Sequence, residues 1–140
     1  MEVVNSRTII HPTDLDRSLE FYGAQLSLAV AREFGSGAFR GVVYFLGGGF
    51  LELSGHRGEA ATGPGADEIP PIALWLQVRD IDSAVTELSG RGVPIVRSPR
   101  LEPWGLVEAW IEDPDGLRIH LVEIPEDHPI RRDVRDLPSS

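Results

Sequence analysis

The order of strand-like and helix-like runs in this chain is written twice, and that repeat constrains the fold more than any single motif. Thr13-Asp14-Leu15-Asp16-Arg17-Ser18 in the first half is answered by Arg79-Asp80-Ile81-Asp82-Ser83-Ala84 in the second, with Asp80 lying 66 residues after Asp14 (80 − 14). Each aspartate stands where a helix cap belongs, before apolar residues at helical spacing. Around both, the residues read strand, helix, strand, strand, strand. A unit repeated in this way is one supersecondary structure used twice, and 140 residues leave room for two such units and little else.

In the first half, residues 6–11 form a short β-branched run, and Pro12 ends it. Thr13 or Asp14 caps a helix of about three turns whose apolar stripe is Leu15, Leu19, Tyr22 and Leu26. Strands are expected at 28–34, 40–46 and 49–54, separated by Gly35-Ser36-Gly37 and by Gly47-Gly48-Gly49, which supply tight turns. Residues 55–71 are rich in Gly, Ala and Pro without periodicity, and read as a linker between modules at 1–54 and 72–124. In the second half, residues 72–79 alternate cleanly and precede the helix begun by Asp80, which ends near Gly90 and Gly92. Strands are expected at 93–96, 106–112 and 117–123, and a polar, proline-containing tail at 125–140.

The last two strands meet at Asp113-Pro114-Asp115-Gly116, a turn in which proline fixes φ and glycine accepts a positive φ. Beyond it Leu117, Ile119 and Leu121 share one face, and Arg118, His120 and Val122 share the other. His120 therefore stands mid-strand on the face that is not the core. Glu52 holds the matching place in the first half, 68 residues earlier (120 − 52).

Composition excludes several kinds of chemistry. A formal net charge of −9 opposes approach to phosphate backbones and anionic lipid, so neither nucleic acid nor a membrane is expected as partner. With no cysteine there is no disulfide, thiolate zinc site or cysteine nucleophile. The first residues lack a basic segment followed by an apolar one, and no apolar run reaches about 18 residues, which predicts a soluble, cytoplasmic protein.

Three runs carry a resemblance: Asp14 to Tyr22 with Leu26-Ser27-Leu28, Phe50-Leu51-Glu52-Leu53, and Asp113 to Gly116 before Ile119-His120-Leu121. Together they resemble the vicinal oxygen chelate superfamily of glyoxalase I, bleomycin-resistance proteins, extradiol dioxygenases and fosfomycin-resistance enzymes. The resemblance spans roughly residues 6–123. It implies an α+β fold of two βαβββ modules forming a curled, cup-shaped mixed sheet with helices outside. Metal-binding members take ligands from the first and last strand of each module, and those positions fall here on Arg7, Glu52, Ala73 and His120. Only Glu52 and His120 can ligate a metal, since alanine has no donor and Arg7 is a permanent cation.

No cofactor is favoured on this basis, although a divalent metal at Glu52 and His120 stays open. Arg7 reads either as an anion clamp or as a structural ion pair with Glu52. His120 reads either as a general acid or base, for which a reference pKa of roughly 6.5 suits it, or as a hydrogen-bonded cavity residue. Around these candidate catalytic residues, Tyr44, Phe50, Trp75, Gln77, Trp104, Glu108 and Trp110 are expected to line a π-rich pocket. Trp104, in Pro103-Trp104-Gly105, resembles the loop that many bleomycin-resistance-like members carry before the seventh strand, and the resemblance implies that it gates the pocket. The expectation is a small-molecule-binding homodimer, metal-independent, with a metal-dependent lyase, isomerase or dioxygenase as the alternative.

Overall fold

Two aspartates start the two helices. Asp14 accepts a hydrogen bond from the Arg17 amide at 3.2 Å, and Asp80 accepts one from the Ser83 amide at 3.0 Å. Each satisfies an amide that the first helical turn leaves without an intrahelical partner. The bonds from Ser83 hold the Asp80 carboxyl below its ordinary range. Of the two candidates for the first cap, Asp14 takes the role, and the Thr13 amide instead donates to Asp115 Oδ2 at 3.1 Å.

The computed structural model describes residues 1–55 and 72–129. Most of the expected linker, residues 56–71, and residues 130–140 of the expected tail lie outside the described residues. In chain order the elements are β1 (Arg7–Ile10), α1 (Leu15–Leu19), a π-helical turn (Glu20–Gln25), β2 (Val30–Phe34), a 3₁₀ turn (Gly37–Phe39), β3 (Gly41–Leu46), β4 (Gly49–Ser54), β5 (Ala73–Gln77), α2 (Ile81–Gly90), β6 (Arg97–Leu101), β7 (Val107–Glu112) and β8 (Arg118–Glu123). They build two four-stranded mixed sheets with the same order, β1-β4-β3-β2 and β5-β8-β7-β6. In each, the outer first strand runs parallel to the last and the other pairs are antiparallel. This is the βαβββ unit, used twice. Among the described residues no helix is long and apolar enough to cross a membrane.

The chain divides into two units, one of residues 1–72 with 113–117, the other of 73–112 with the chain from 118 onward. In the first unit Val42, Tyr44, Leu51 and Leu53 are buried on one sheet face, because β3 and β4 pair Val42 with Leu53 and Tyr44 with Leu51. Arg7, Phe45, Phe50 and Glu52 share the other face. The helix expected to run three turns stays α-helical only to Leu19 and then widens, with the Leu26 amide donating five residues back to Phe21 O at 2.8 Å. The wider winding lets consecutive Phe21 and Tyr22 both turn inward, their rings meeting edge to face at 4.9 Å.

Tyr22 then meets the Asp113–Leu117 turn. Its hydroxyl donates to Asp113 Oδ2 at 2.8 Å, while Oδ1 of the same buried carboxylate accepts from the amides of Asp115 (2.9 Å) and Leu117 (2.8 Å). Gly116 closes the turn at φ +86°, the conformation that glycine was expected to take there. Burial and the Asp113 charge push the Tyr22 hydroxyl far above its ordinary pKa, so it remains a proton donor.

In the second unit, Leu74, Ala109, Ile111, Ile119 and Leu121 form the buried face, with Ile81 and Leu88 buried on α2. The strand expected at 93–96 is not there. Gly92, at φ +84°, ends the helix, and the Val93 amide donates back to Leu88 O at 3.0 Å, which spends buried Val93 on the helix stop. Pairing begins when the Val96 amide reaches Trp110 O at 2.8 Å, and the strand follows at Arg97–Leu101. Pro99 lies inside it, at a register shift between Arg97 and Arg100 that tolerates a residue without an N–H.

Replacing Tyr22 by phenylalanine leaves the buried Asp113 oxygen without its donor. The variant is expected to lose about 1–3 kcal/mol of stability, read as a lower urea midpoint with an unchanged slope; no loss would show that the bond does not support the turn.

Candidate functional site

The face of the second sheet that does not pack into the apolar core is organised in rows. Trp75, His120, Trp110 and Arg97 stand in register across β5, β8, β7 and β6. On one side of this row lie Ala73, Arg118 and Glu112, and on the other Gln77, Val122, Glu108 and Arg100. Side chains one step apart on neighbouring strands come within reach of each other.

Glu108 is the most buried polar group of the face, at 4% exposure. It stands opposite Val122, which forms a buried apolar cluster with Leu106 and Ile124. A carboxylate in such surroundings needs hydrogen bonds to stay charged. One comes from His120 Nδ1, 3.0 Å from Oε1, and one from the Trp104 indole N–H, 2.7 Å from Oε2. Burial pushes the Glu108 carboxyl up, but the bonds from His120 and Trp104, with a smaller pull from the Trp110 indole, outweigh it and hold the group below its ordinary range. An ionised carboxylate only accepts, so the hydrogen-bond network assigns the proton to His120 Nδ1 and leaves Nε2 of the neutral ring as an acceptor. The loop carrying Trp104 is tied in two further ways: Gly105 takes φ +90°, and His128 Nε2 lies 2.9 Å from Trp104 O. Trp104 and Trp75 are 58% and 48% exposed, large apolar surfaces for a folded chain to leave open.

Trp110 presents itself differently. The Arg97 guanidinium lies 3.6 Å and the Arg118 guanidinium 4.6 Å from its ring centroid, and the His120 ring is 5.1 Å away. These are cation–π distances. Trp110 is therefore already engaged by two cations. Arg97 is also paired with buried Glu102, which Arg100 approaches at 3.3 Å, and Arg118 is paired with Glu112 at 2.9 Å. Burial, with the Arg100 and Arg118 charges, presses Arg97 below the ordinary guanidinium range, while Glu108 pulls the other way. Arg97 Nε and Arg118 Nε are buried without a hydrogen-bond partner.

The first unit places its own candidates side by side. Arg7 Nη1 donates to Glu52 Oε1 at 2.9 Å, and the Arg7 guanidinium stands 5.9 Å over the Phe50 ring, which has Phe45 at 5.6 Å. Tyr44 is on the opposite face from these residues. It pairs with Leu51, is buried, and its hydroxyl would lie 2.9 Å from a Cβ placed on Gly23. The expectation that Tyr44 lines a pocket with Phe50 is corrected by this register: tyrosine here fills the core behind the sheet. Sequence reasoning missed Arg97, Arg100 and Glu102, because it began the strand four residues early. The available signal was Arg118, already placed on the face of His120 by alternation.

Among the described residues no group of three or more His, Asp or Glu side chains comes together to hold a metal ion. Glu52 is held by Arg7, a fixed positive charge that opposes a cation, and His120 is engaged through Nδ1 by Glu108. The donor set does not fit a resident divalent metal.

Two βαβββ units, each a four-stranded mixed sheet with one helix segment, define the glyoxalase-type fold class. The family model for the glyoxalase/bleomycin resistance protein/dioxygenase superfamily matches residues 6–121, and the chain belongs to that superfamily. It is 34% identical over 125 residues to a probable lactoylglutathione lyase of Synechocystis sp., covering 83% of this chain and 92% of the relative. A crystal structure of a superfamily member from Sphaerobacter thermophilus superposes with TM-score 0.65 at 26% identity, covering 87% of this chain and 98% of the other. The fold is also that of TioX from Micromonospora sp. ML1, with TM-score 0.71 at 17% identity over 88% of this chain and 100% of TioX.

Because the folded-state pKa of Glu108 lies below its unfolded value, its contribution to stability is present above about pH 4.3 and is lost as pH falls through the lower folded value. Glu108→Gln is expected to be less stable than the wild type at pH 7, with the gap closing on acidification. Urea midpoints of both proteins between pH 7 and pH 3 check this; a constant gap would refute the assignment.

Proposed function

We propose that this chain is a small-molecule-binding member of its superfamily that works without a metal and holds its ligand on the polar face of the second sheet. One observation carries the reading. The buried Glu108 carboxylate is occupied by His120 and Trp104, and Trp75, half exposed, stands directly across from His120. A flat apolar ligand stacked on Trp75 meets the free Nε2 of His120, which accepts a hydrogen bond or a proton from it. Gln77 adds an amide at the end of the same strand, and Trp104 covers the edge next to Glu108. In the first unit Arg7, Phe50 and Glu52 form a second polar and aromatic surface whose charges are matched within the pair. A homodimer in the cytoplasm completes the reading.

The alternative is a metal-dependent lyase, isomerase or dioxygenase using Glu52 and His120. Support for it comes from the relative named as a probable lactoylglutathione lyase, and from the carboxylate on His120 Nδ1, an arrangement that also orients metal-bound imidazoles.

Metal content of protein purified without chelator separates the two. The expected result is well below one equivalent, unchanged in the Glu52→Ala, His120→Ala double variant; near-stoichiometric metal that the double variant loses would overturn the metal-free reading. A thermal-shift series with planar aromatic ligands is then expected to raise the midpoint by several degrees in the wild type and by nothing in Trp75→Ala.

A further inference from the structure

The two oxygens of Glu108 face donors of different kinds. The Trp104 indole N–H donates to Oε2 at 2.7 Å, and His120 Nδ1 lies 3.0 Å from Oε1, with the Trp110 indole a weaker third partner. An indole nitrogen only donates, whereas a neutral imidazole donates from one nitrogen and accepts at the other. The ionised carboxylate accepts on both sides, so it holds the imidazole with its proton on Nδ1 and a lone pair on Nε2.

That lone pair is open to a ligand. Among the described residues no side chain or carbonyl bonds His120 Nε2; the side chain is 27% exposed, and Nε2 is not one of the enclosed polar atoms without a partner. His120 stands in register between Trp75 on β5 and Trp110 on β7. Trp110 is occupied by Arg97 and Arg118, while Trp75 is half exposed, so a flat molecule has the Trp75 ring to stack on and Nε2 beside it.

From this we infer that the ligand of the second-sheet face is a flat aromatic whose edge offers a neutral O–H or N–H donor to His120 Nε2, and that Glu108, held by Trp104, imposes this choice. The inference rests on the small-molecule reading above and deepens it from shape to hydrogen-bond polarity. An edge that can only accept would set one lone pair against another and leave both unpaired. Glu108 acts on the ligand through His120 and is a positioning residue.

That role gives Glu108→Gln a specific consequence. The new amide has one accepting end and one donating end. The Trp104 indole, which cannot accept, claims the oxygen; the amide N–H then turns to His120 Nδ1 and shifts the imidazole proton to Nε2. A loss of packing alone would not reverse the tautomer.

The test has two parts, both on the full chain. Long-range proton–nitrogen NMR correlations of the His120 ring are expected to place the proton on Nδ1 in the wild type and on Nε2 in Glu108→Gln. Calorimetric titration then compares 2-naphthol with 2-methoxynaphthalene, and indole with 1-methylindole, pairs that share a ring system and differ in the donor. In at least one pair the donor-bearing compound is expected to bind the wild type roughly ten-fold tighter, and Glu108→Gln to bring the two within about two-fold. Which pair shows the preference separates hydroxyl from N–H ligands. The wild-type spectrum and the wild-type preference decide the inference even where Glu108→Gln is too unstable to titrate. A wild-type proton on Nε2, equal binding within both pairs, or a preference that Glu108→Gln leaves intact overturns the inference while the small-molecule reading stands. Binding of none of these compounds at millimolar concentration overturns both.

Discussion

Asp113 buries a carboxylate and surrounds it with three donors: two amides of its own turn and the hydroxyl of Tyr22. A buried charge is tolerated only when its lone pairs are filled, so this cluster admits few rearrangements. It holds the turn between β7 and β8 in one geometry, with Gly116 at positive φ. The turn sets the register of the hairpin, and a slip of one residue would send every side chain of β8 to the opposite face. The position of His120 on the polar face, beside Glu108 and Trp110, follows from that register.

A second buried carboxylate shows how similar physics serves a different end. The partners of Asp113 are backbone and a fully buried tyrosine, which nothing outside the chain can replace. Those of Glu108 are half-buried His120 and exposed Trp104, groups a ligand can touch. Both carboxylates satisfy the same requirement for hydrogen bonds. In one the requirement fixes the backbone; in the other it fixes the tautomer of a histidine and the place of an indole.

The two units have one sheet order and different chemistry. Row for row, Ile9, Glu52, Val43 and Arg32 in the first correspond to Trp75, His120, Trp110 and Arg97 in the second. The pattern that folds the sheet resides in the buried face, where both units keep aliphatic residues. The opposite face is free to diverge, which is why membership of the superfamily defines the fold far more narrowly than the reaction.

Period-two alternation, two capping aspartates and the Asp-Pro-Asp-Gly turn were enough to read the repeat, seven of the eight strands to within a few residues, and the face on which His120, Glu108, Trp75 and Trp110 stand. These are local properties, set by backbone geometry and by the spacing of apolar residues along one segment. The sequence alone did not show that Tyr44 turns toward Gly23, that Val93 ends a helix instead of starting a strand, or that Arg97 and Arg118 both lie on Trp110. Each depends on residues distant in the chain competing for the same space or the same donor. Tertiary structure decides those contests, because alternation says which side of a sheet a residue takes and not which neighbour it finds there.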